Sequence, residues 1–198
     1  MCIRDRFTLL TALEQNVPFG YPQTVPAAAD LTGFTNCAGG PTGPWHVIND
    51  SPSEKGAYTL YNATAQSVNI YFAEMERKVG LCNVVKTAAA LGMTRADGRS
   101  LFKWDGPSEP PADDIPAFTL GAVNVSPMSM AAAYATVAAR GMYCRPIAVS
   151  KIVSSSGARL PIEQAGCHQA IPTGVADAAN YILQSVLTVG TAAGLGIG

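Results

Sequence analysis

A chain of 198 residues can bury one sizeable hydrophobic core but has little room for a second full domain. With 48% hydrophobic residues, 14% charged residues and a net charge of −1, it has neither the basic surface that counterion release on nucleic acid requires nor a polybasic membrane anchor. No run of roughly eighteen apolar residues is present to span a bilayer, and the start MCIRDRF lacks the apolar centre of a secretory signal.

The segment FTLLTALEQ, Phe7 to Gln15, places Leu9, Leu10, Ala12 and Leu13 at helical spacing and ends before Pro18. From Pro18 to Lys55 the chain is dense in Pro, Gly, Thr and Asn, which predicts turns and a long surface excursion pinned by Trp45 and Val47. Residues 65 to 80, AQSVNIYFAEMERKVG, then set Val68, Phe72, Met75 and Val79 on one helical face, with Glu74, Glu76, Arg77 and Lys78 mostly on others. Ser67 and Asn69 flank the inward-facing Val68 at the start of this helix. They read either as a cap or as half of an active site, and Ile70 stands where a capping box would want Glu or Gln.

A second helix is expected around Cys82 to Leu91, stopped by Gly92. A polar connection with Pro107, Pro110, Pro111 and Pro116 follows it. Within that connection Asp113 and Asp114 read as a solvated pair, and Arg95 to Gly98 as a charged turn. SPMSMAAAYATVAARG has Ser126 as N-cap, Pro127 at the first helical position and Gly141 past the end; its alanines suggest a buried central helix. Ile147 to Val153, Ser155-Ser156-Gly157 and Arg159-Leu160-Pro161 read as a β-hairpin, and a last helix should run from Thr173 to Gly190. The fold class is α/β in the broad sense (α+β): helices with a small, incomplete antiparallel sheet.

The cysteines at 2, 37, 82, 144 and 167 show no metal-ligand spacing, and His46 and His168 have no acidic or cysteine partner at a telling distance, so no metal or cofactor is expected. With Cys2 in an odd leader, the other four cysteines allow two disulfides in an oxidising compartment, by any of three pairings. The preferred pair is Cys144 with Cys167, which flank the expected hairpin.

Three ordered segments resemble one family. Ser67-Val68-Asn69, preceded by Tyr58-Thr59-Leu60 and followed by Phe72, resembles the S-x-N element of penicillin-binding proteins, the serine transpeptidases of bacterial cell-wall synthesis. Phe118-Thr119-Leu120-Gly121, Val125-Ser126-Pro127 and the alanine-rich helix resemble a downstream segment of these enzymes. Leu187-Thr188-Val189-Gly190-Thr191 resembles their approach to the last catalytic strand. The likeness covers Phe7 to Gly198 and is nearest to the class A, bifunctional members of actinobacteria. It implies a partial β-lactamase/transpeptidase-like fold.

Such enzymes use S-x-x-K, S-x-N and K-T-G, and only the second is placed here. Continuing the register of the Phe7 helix upstream puts the nucleophile's place at Cys2 and the lysine's place at Asp5; K-T-G would follow Gly198. Residues 1–6 are therefore expected to be a leader foreign to the fold and 7–198 a partial transpeptidase domain, inactive by itself. The resemblance makes Ser67 the second serine, which passes a proton to the departing D-alanine nitrogen, and Asn69 the residue that orients the lysine and holds the substrate's peptide group. Both should line a groove, with Val68, Phe72 and Val79 buried behind them.

The implied partners are stem peptides ending in D-Ala-D-Ala and, in the intact parent, β-lactams. The implied location is the extracytoplasmic face of the membrane, anchored only through N-terminal parts outside this chain. A serine β-lactamase or D,D-carboxypeptidase relative is one alternative, and a non-catalytic module that binds peptidoglycan or a partner is another.

Overall fold

Six helices carry the core of the computed structural model, which describes residues 5–103, 106 and 109–195. They are α1 (Asp5–Glu14), α2 (Leu60–Gln66), α3 (Asn69–Val79), α4 (Leu81–Ala90), α5 (Pro127–Ala138) and α6 (Thr173–Thr188). The strands are β1 (Pro22–Val25), β2 (Ala28–Leu31), β3 (Trp45–Ile48), β4 (Gly56–Thr59), β5 (Met142–Tyr143), β6 (Ile152–Val153), β7 (Arg159–Leu160) and β8 (His168–Gln169).

The predicted stripe of α3 is buried: Val68, Phe72 and Met75 are fully enclosed and Val79 nearly so. The enclosure extends further than the stripe. Ile70, Tyr71, Ala73 and Glu76 are also buried, so α3 lies in the interior with α1, α4 and the β2–β3 pair packed around it. Glu76 is thus not on an outer face. Burial pushes its carboxyl well above the usual carboxylate range, against a smaller lowering by the backbone of Thr119.

Helix α1 is buried along nearly its whole length, including Phe7, Leu9, Leu10 and Ala12, and begins at Asp5 rather than Phe7. Its core-facing Thr8 is satisfied by Thr119, the two hydroxyl oxygens lying 2.7 Å apart. Helix α5 starts and stops as its boundary residues predict, but it is not central. Ala131, Ala135 and Ala138 face solvent, since α5 packs mainly on α6 and β5. Ser126 occupies the N-cap position, yet its side chain makes no capping bond; the hydroxyl of Ser129 donates to the Ser126 carbonyl instead.

The stretch from Pro18 to Lys55, expected as turns, contains three strands. β1 pairs antiparallel with β4, Pro22 opposite Thr59, and β2 pairs with β3, Ala28 opposite Ile48. Trp45 and Val47 do fasten the segment to the body: Val47 is buried and Trp45 packs against the core. The sheet is divided into separate two-stranded pairs, the other two being β5–β8 and β6–β7, the latter closing the expected hairpin.

Asp113 and Asp114 are not a solvated pair. Asp113 is buried and accepts from the Cys37 amide at 2.9 Å, while Asp114 accepts from the Asn36 side chain at 2.7 Å, so both hold the loop after β2.

Both disulfides form. Cys144 pairs with Cys167, Cα atoms 4.1 Å apart, and Cys37 pairs with Cys82, joining that same loop to α4. The Cys37–Cys82 bridge spans a sequence separation of 45 residues, and closing a loop of that size removes about 4 kcal/mol of unfolded-state entropy. Replacing both cysteines by serine is expected to lower the melting temperature by roughly 8–16 °C. Thermal unfolding followed by circular dichroism checks this, and a drop under about 2 °C would contradict it.

Candidate functional site

Thr59 starts α2, its Oγ1 accepting from the Asn62 amide at 3.2 Å. The helix ends at Ser67, which adopts φ 57° and ψ 47°, a left-handed conformation usually given to glycine. The Val68 amide closes the turn by donating to the Ala63 carbonyl at 3.1 Å. Ser67 is therefore the C-terminal cap of α2 and not the N-cap of α3. That N-cap is Val68, whose extended backbone drives its side chain into the core. A non-glycine residue at such a corner costs roughly 1 kcal/mol, which a side chain with a partner can offset.

That partner is Asp5. The Ser67 hydroxyl donates to Asp5 Oδ2 at 2.8 Å, both groups being buried. The position that the Phe7 register assigns to the catalytic lysine thus lies on Ser67, but it carries the opposite charge. Burial pushes the Asp5 carboxyl up to about 6, while the adjacent Arg6 guanidinium and the Ser67 hydroxyl pull it down. Arg6 Nε stands 3.4 Å from Asp5 Oδ1, and Arg6 Nη1 donates to the Thr64 carbonyl at 3.3 Å, placing a cation at the C-terminus of α2. Asp5 and Arg6 belong to α1, so the boundary expected after residue 6 falls inside a helix. Cys2 lies outside the described residues.

Asn69, half-buried, opens α3 and donates from Nδ2 to the Ile48 carbonyl at 3.0 Å. The corner brings Ser67 and Asn69 together on either side of Val68. Only Asn69 reaches the surface; Ser67 is 6% exposed. A cavity of about 530 Å³ lies along the C-terminal half of α3 between Tyr21, Gln23, Glu74, Arg77 and Lys78. Another of about 320 Å³ is lined by Arg95, Asp97, Glu109 and Asn124. Neither includes Ser67 or Asn69.

The segment Leu187 to Thr191 reaches the same corner. A Cβ at Gly190 would stand 2.1 Å from the Ala65 carbonyl oxygen, so only glycine fits, and the Thr191 amide donates to that oxygen at 3.1 Å. Gln66 Nε2 adds a bond to the Val189 carbonyl at 3.3 Å. Two of the three family-like segments therefore meet at the end of α2.

Other residues fall elsewhere. His46 does have an acidic partner, Asp30, directly opposite in the β2–β3 ladder with Nδ1 and Oδ1 2.7 Å apart, but both side chains are largely solvent-exposed. His168 packs edge-on against Tyr143. Arg95 is buried and donates to the Pro110 carbonyl. Sequence reasoning also overlooks that Ser100 to Lys103 spells S-x-x-K. There Ser100 Oγ accepts from the Phe102 amide at 3.3 Å in an exposed turn, not at the start of a helix.

A carboxyl whose folded pKa rises from 3.8 to about 6 binds more protons folded than unfolded in that range. Stability from it is full below pH 3.8 and is lost as pH rises through about 6. The loss amounts to roughly 3 kcal/mol. Asp5→Asn keeps an oxygen that accepts from Ser67 and removes the titration. Denaturant unfolding at pH 4 and pH 7 should show a smaller fall for the variant than for the parent chain, and an unchanged fall would contradict the burial of a titrating carboxyl.

Residues 27–197 match the sequence profile of the penicillin binding protein transpeptidase domain. Penicillin-binding protein 1B of Haemophilus influenzae is 28% identical over 160 residues, covering 81% of this chain and 18% of that protein. Penicillin-binding protein 1A of Mycolicibacterium smegmatis is 27% identical over 155 residues, covering 76% of this chain and 18% of that protein. Among solved structures, PonA1 of Mycobacterium tuberculosis in complex with penicillin V superposes with a TM-score of 0.68 at 25% identity, covering 94% of this chain and 46% of that one. The D,D-transpeptidase domain of a peptidoglycan glycosyltransferase from Eggerthella lenta superposes at 0.70 with 20% identity, covering 96% and 48%. The chain thus spans under a fifth of the length of these sequence relatives and under half of the solved chains. With the profile match running through Ser67, Asn69 and Gly190, the chain belongs to the transpeptidase domain family of penicillin-binding proteins, on its class A side.

Proposed function

We propose that this chain contributes the S-x-N side of the cleft of a peptidoglycan D,D-transpeptidase, and that the chain as it stands does not acylate. The observation that carries the proposal is the 2.8 Å bond between Ser67 and Asp5. It supports the register in which residue 5 is the lysine's place, because a lysine there would reach the Ser67 hydroxyl as a proton relay needs. In a parent with lysine at that place, the neutral amine takes the nucleophile's proton. Ser67, able to donate and accept at once, then hands a proton to the departing D-alanine nitrogen. Asn69 supplies a carboxamide at the surface to hold the substrate's peptide group.

The substrate of that parent is a stem peptide ending in D-Ala-D-Ala, on the extracytoplasmic side of the membrane, where the two disulfides are also stable. β-Lactams bind there as acylating analogues, as PonA1 of Mycobacterium tuberculosis binds penicillin V and penicillin-binding protein A of M. tuberculosis forms an imipenem acyl-enzyme.

In this chain the relay is reversed in charge. At neutral pH Asp5 is an anion that draws the Ser67 hydrogen toward itself. A carboxylate of that pKa is a weaker base than a neutral lysine, and no serine stands at position 2. Incubation with a fluorescent penicillin followed by denaturing electrophoresis is expected to give no covalent band. A labelled band that disappears on Ser67→Ala would make Ser67 itself the nucleophile and overturn the proposal, and a band lost on Cys2→Ala would show that residue 2 belongs to the enzyme after all.

A further inference from the structure

The first turn of a helix presents amides without intrahelical partners, and a capping side chain normally satisfies one of them. Val68, the N-cap of α3, has no oxygen to offer. The Ile70 amide is buried and instead donates to Asn49 Oδ1 at 2.9 Å, a residue twenty-one positions upstream at the end of β3.

Asn49 is 5% exposed and spends its whole carboxamide on backbone groups. Its Nδ2 donates to the Pro26 carbonyl at 3.1 Å and also to the Glu54 carbonyl. Its own amide donates to the Ala27 carbonyl at 3.1 Å. The link between β1 and β2, the loop leading into β4 and the start of α3 are therefore joined through one side chain. The residue before it, Ile48, accepts from Asn69 Nδ2 at 3.0 Å. Asn49 thus fixes both ends of the Asn69 contact: the helix that carries Asn69, through Ile70, and the strand end that carries its acceptor.

We infer that Asn49 is a positioning residue for Asn69, acting as the missing N-cap of α3 in trans and setting the direction of the Asn69 carboxamide. The inference rests on reading Asn69 as a site residue. Its test requires no catalysis and so stands apart from the outcome with penicillin. A core residue that merely adds stability would lower the melting temperature and leave the Asn69 side chain where it is.

The uniformly ¹⁵N-labelled full chain supplies the readout: the side-chain carboxamide resonances of Asn69 and hydrogen exchange at the Ile70 amide, with melting temperature as the control. In Asn49→Ala the Asn69 carboxamide should move toward free-asparagine values, and Ile70 exchange should quicken about tenfold, the equivalent of one lost hydrogen bond. Asn49→Asp keeps an acceptor at the helix N-terminus and should hold both signals near those of the parent chain while losing the bonds to Pro26 and Glu54. Val47→Ala, which cuts the neighbouring buried side chain, should lower the melting temperature without displacing Asn69. An Asn69 signal unmoved in Asn49→Ala, or moved as far in Val47→Ala, would overturn the inference. If Asn49→Ala does not fold, Asn49→Asp decides: Asn69 and Ile70 signals near their parental values despite a lower melting temperature support it, and displaced signals refute it.

Discussion

A buried carboxylate and a buried hydroxyl, 2.8 Å apart, hold the start of one helix against the end of another. Asp5 is in the first turn of α1 and Ser67 at the left-handed end of α2, so their bond ties the two helix ends together. The corner depends on it in two ways. Ser67 sits where glycine would be more comfortable, and only its side chain offsets that cost. Asp5 sits where a charge is poorly solvated, and Arg6 and Ser67 ease that burden. Each strained partner is made tolerable by the other.

From this corner the remaining geometry follows. Val68 must enter the core immediately after Ser67, which starts α3 without a capping side chain of its own and leaves the Ile70 amide to be satisfied by Asn49, just past β3. α3 then runs through the interior, with its Glu74, Arg77 and Lys78 side facing outward, and carries even Glu76 into the core, where burial raises its carboxyl well above the usual range. The end of α6 closes on the same corner through Gly190, whose lack of a side chain lets two backbones touch. The Ser67 hydroxyl is thus held by the Asp5 carboxylate and the Asn69 carboxamide by the Ile48 carbonyl, both from distant segments.

Much of this was legible in the chain because its signals are local. The Val68, Phe72, Met75, Val79 stripe and the Ser126-Pro127 and Gly141 boundaries depend on residues within a few turns of one another, and the structure follows them. Helix α2 had a readable start in Thr59, which goes unnoticed beside the more conspicuous Ser67. The strands between Pro22 and Ile48 were hidden because their registers are set by partners far along the chain, as with Pro22 and Thr59, while local Pro and Gly speak only of turns. Asn49 was invisible for a related reason: its partners are backbone groups of Pro26, Glu54 and Ile70, and no pattern of residue types announces a backbone contact. Glu76 misled in the opposite way, since its charge suggested the exposed face that Glu74, Arg77 and Lys78 do occupy, whereas Glu76 itself points into the core.

The coupling between Asp5 and Ser67 can be measured directly by a double-mutant cycle: Asp5→Ala, Ser67→Ala and the double variant, each unfolded in denaturant at pH 7.5. A hydrogen bond to a charged acceptor predicts that the two changes fail to add by about 1.5–3 kcal/mol, the double variant losing less than the sum of the single ones. Additivity within about 0.5 kcal/mol would mean that the two groups do not hold one another, and that residue 5 does not stand in the lysine's place beside Ser67.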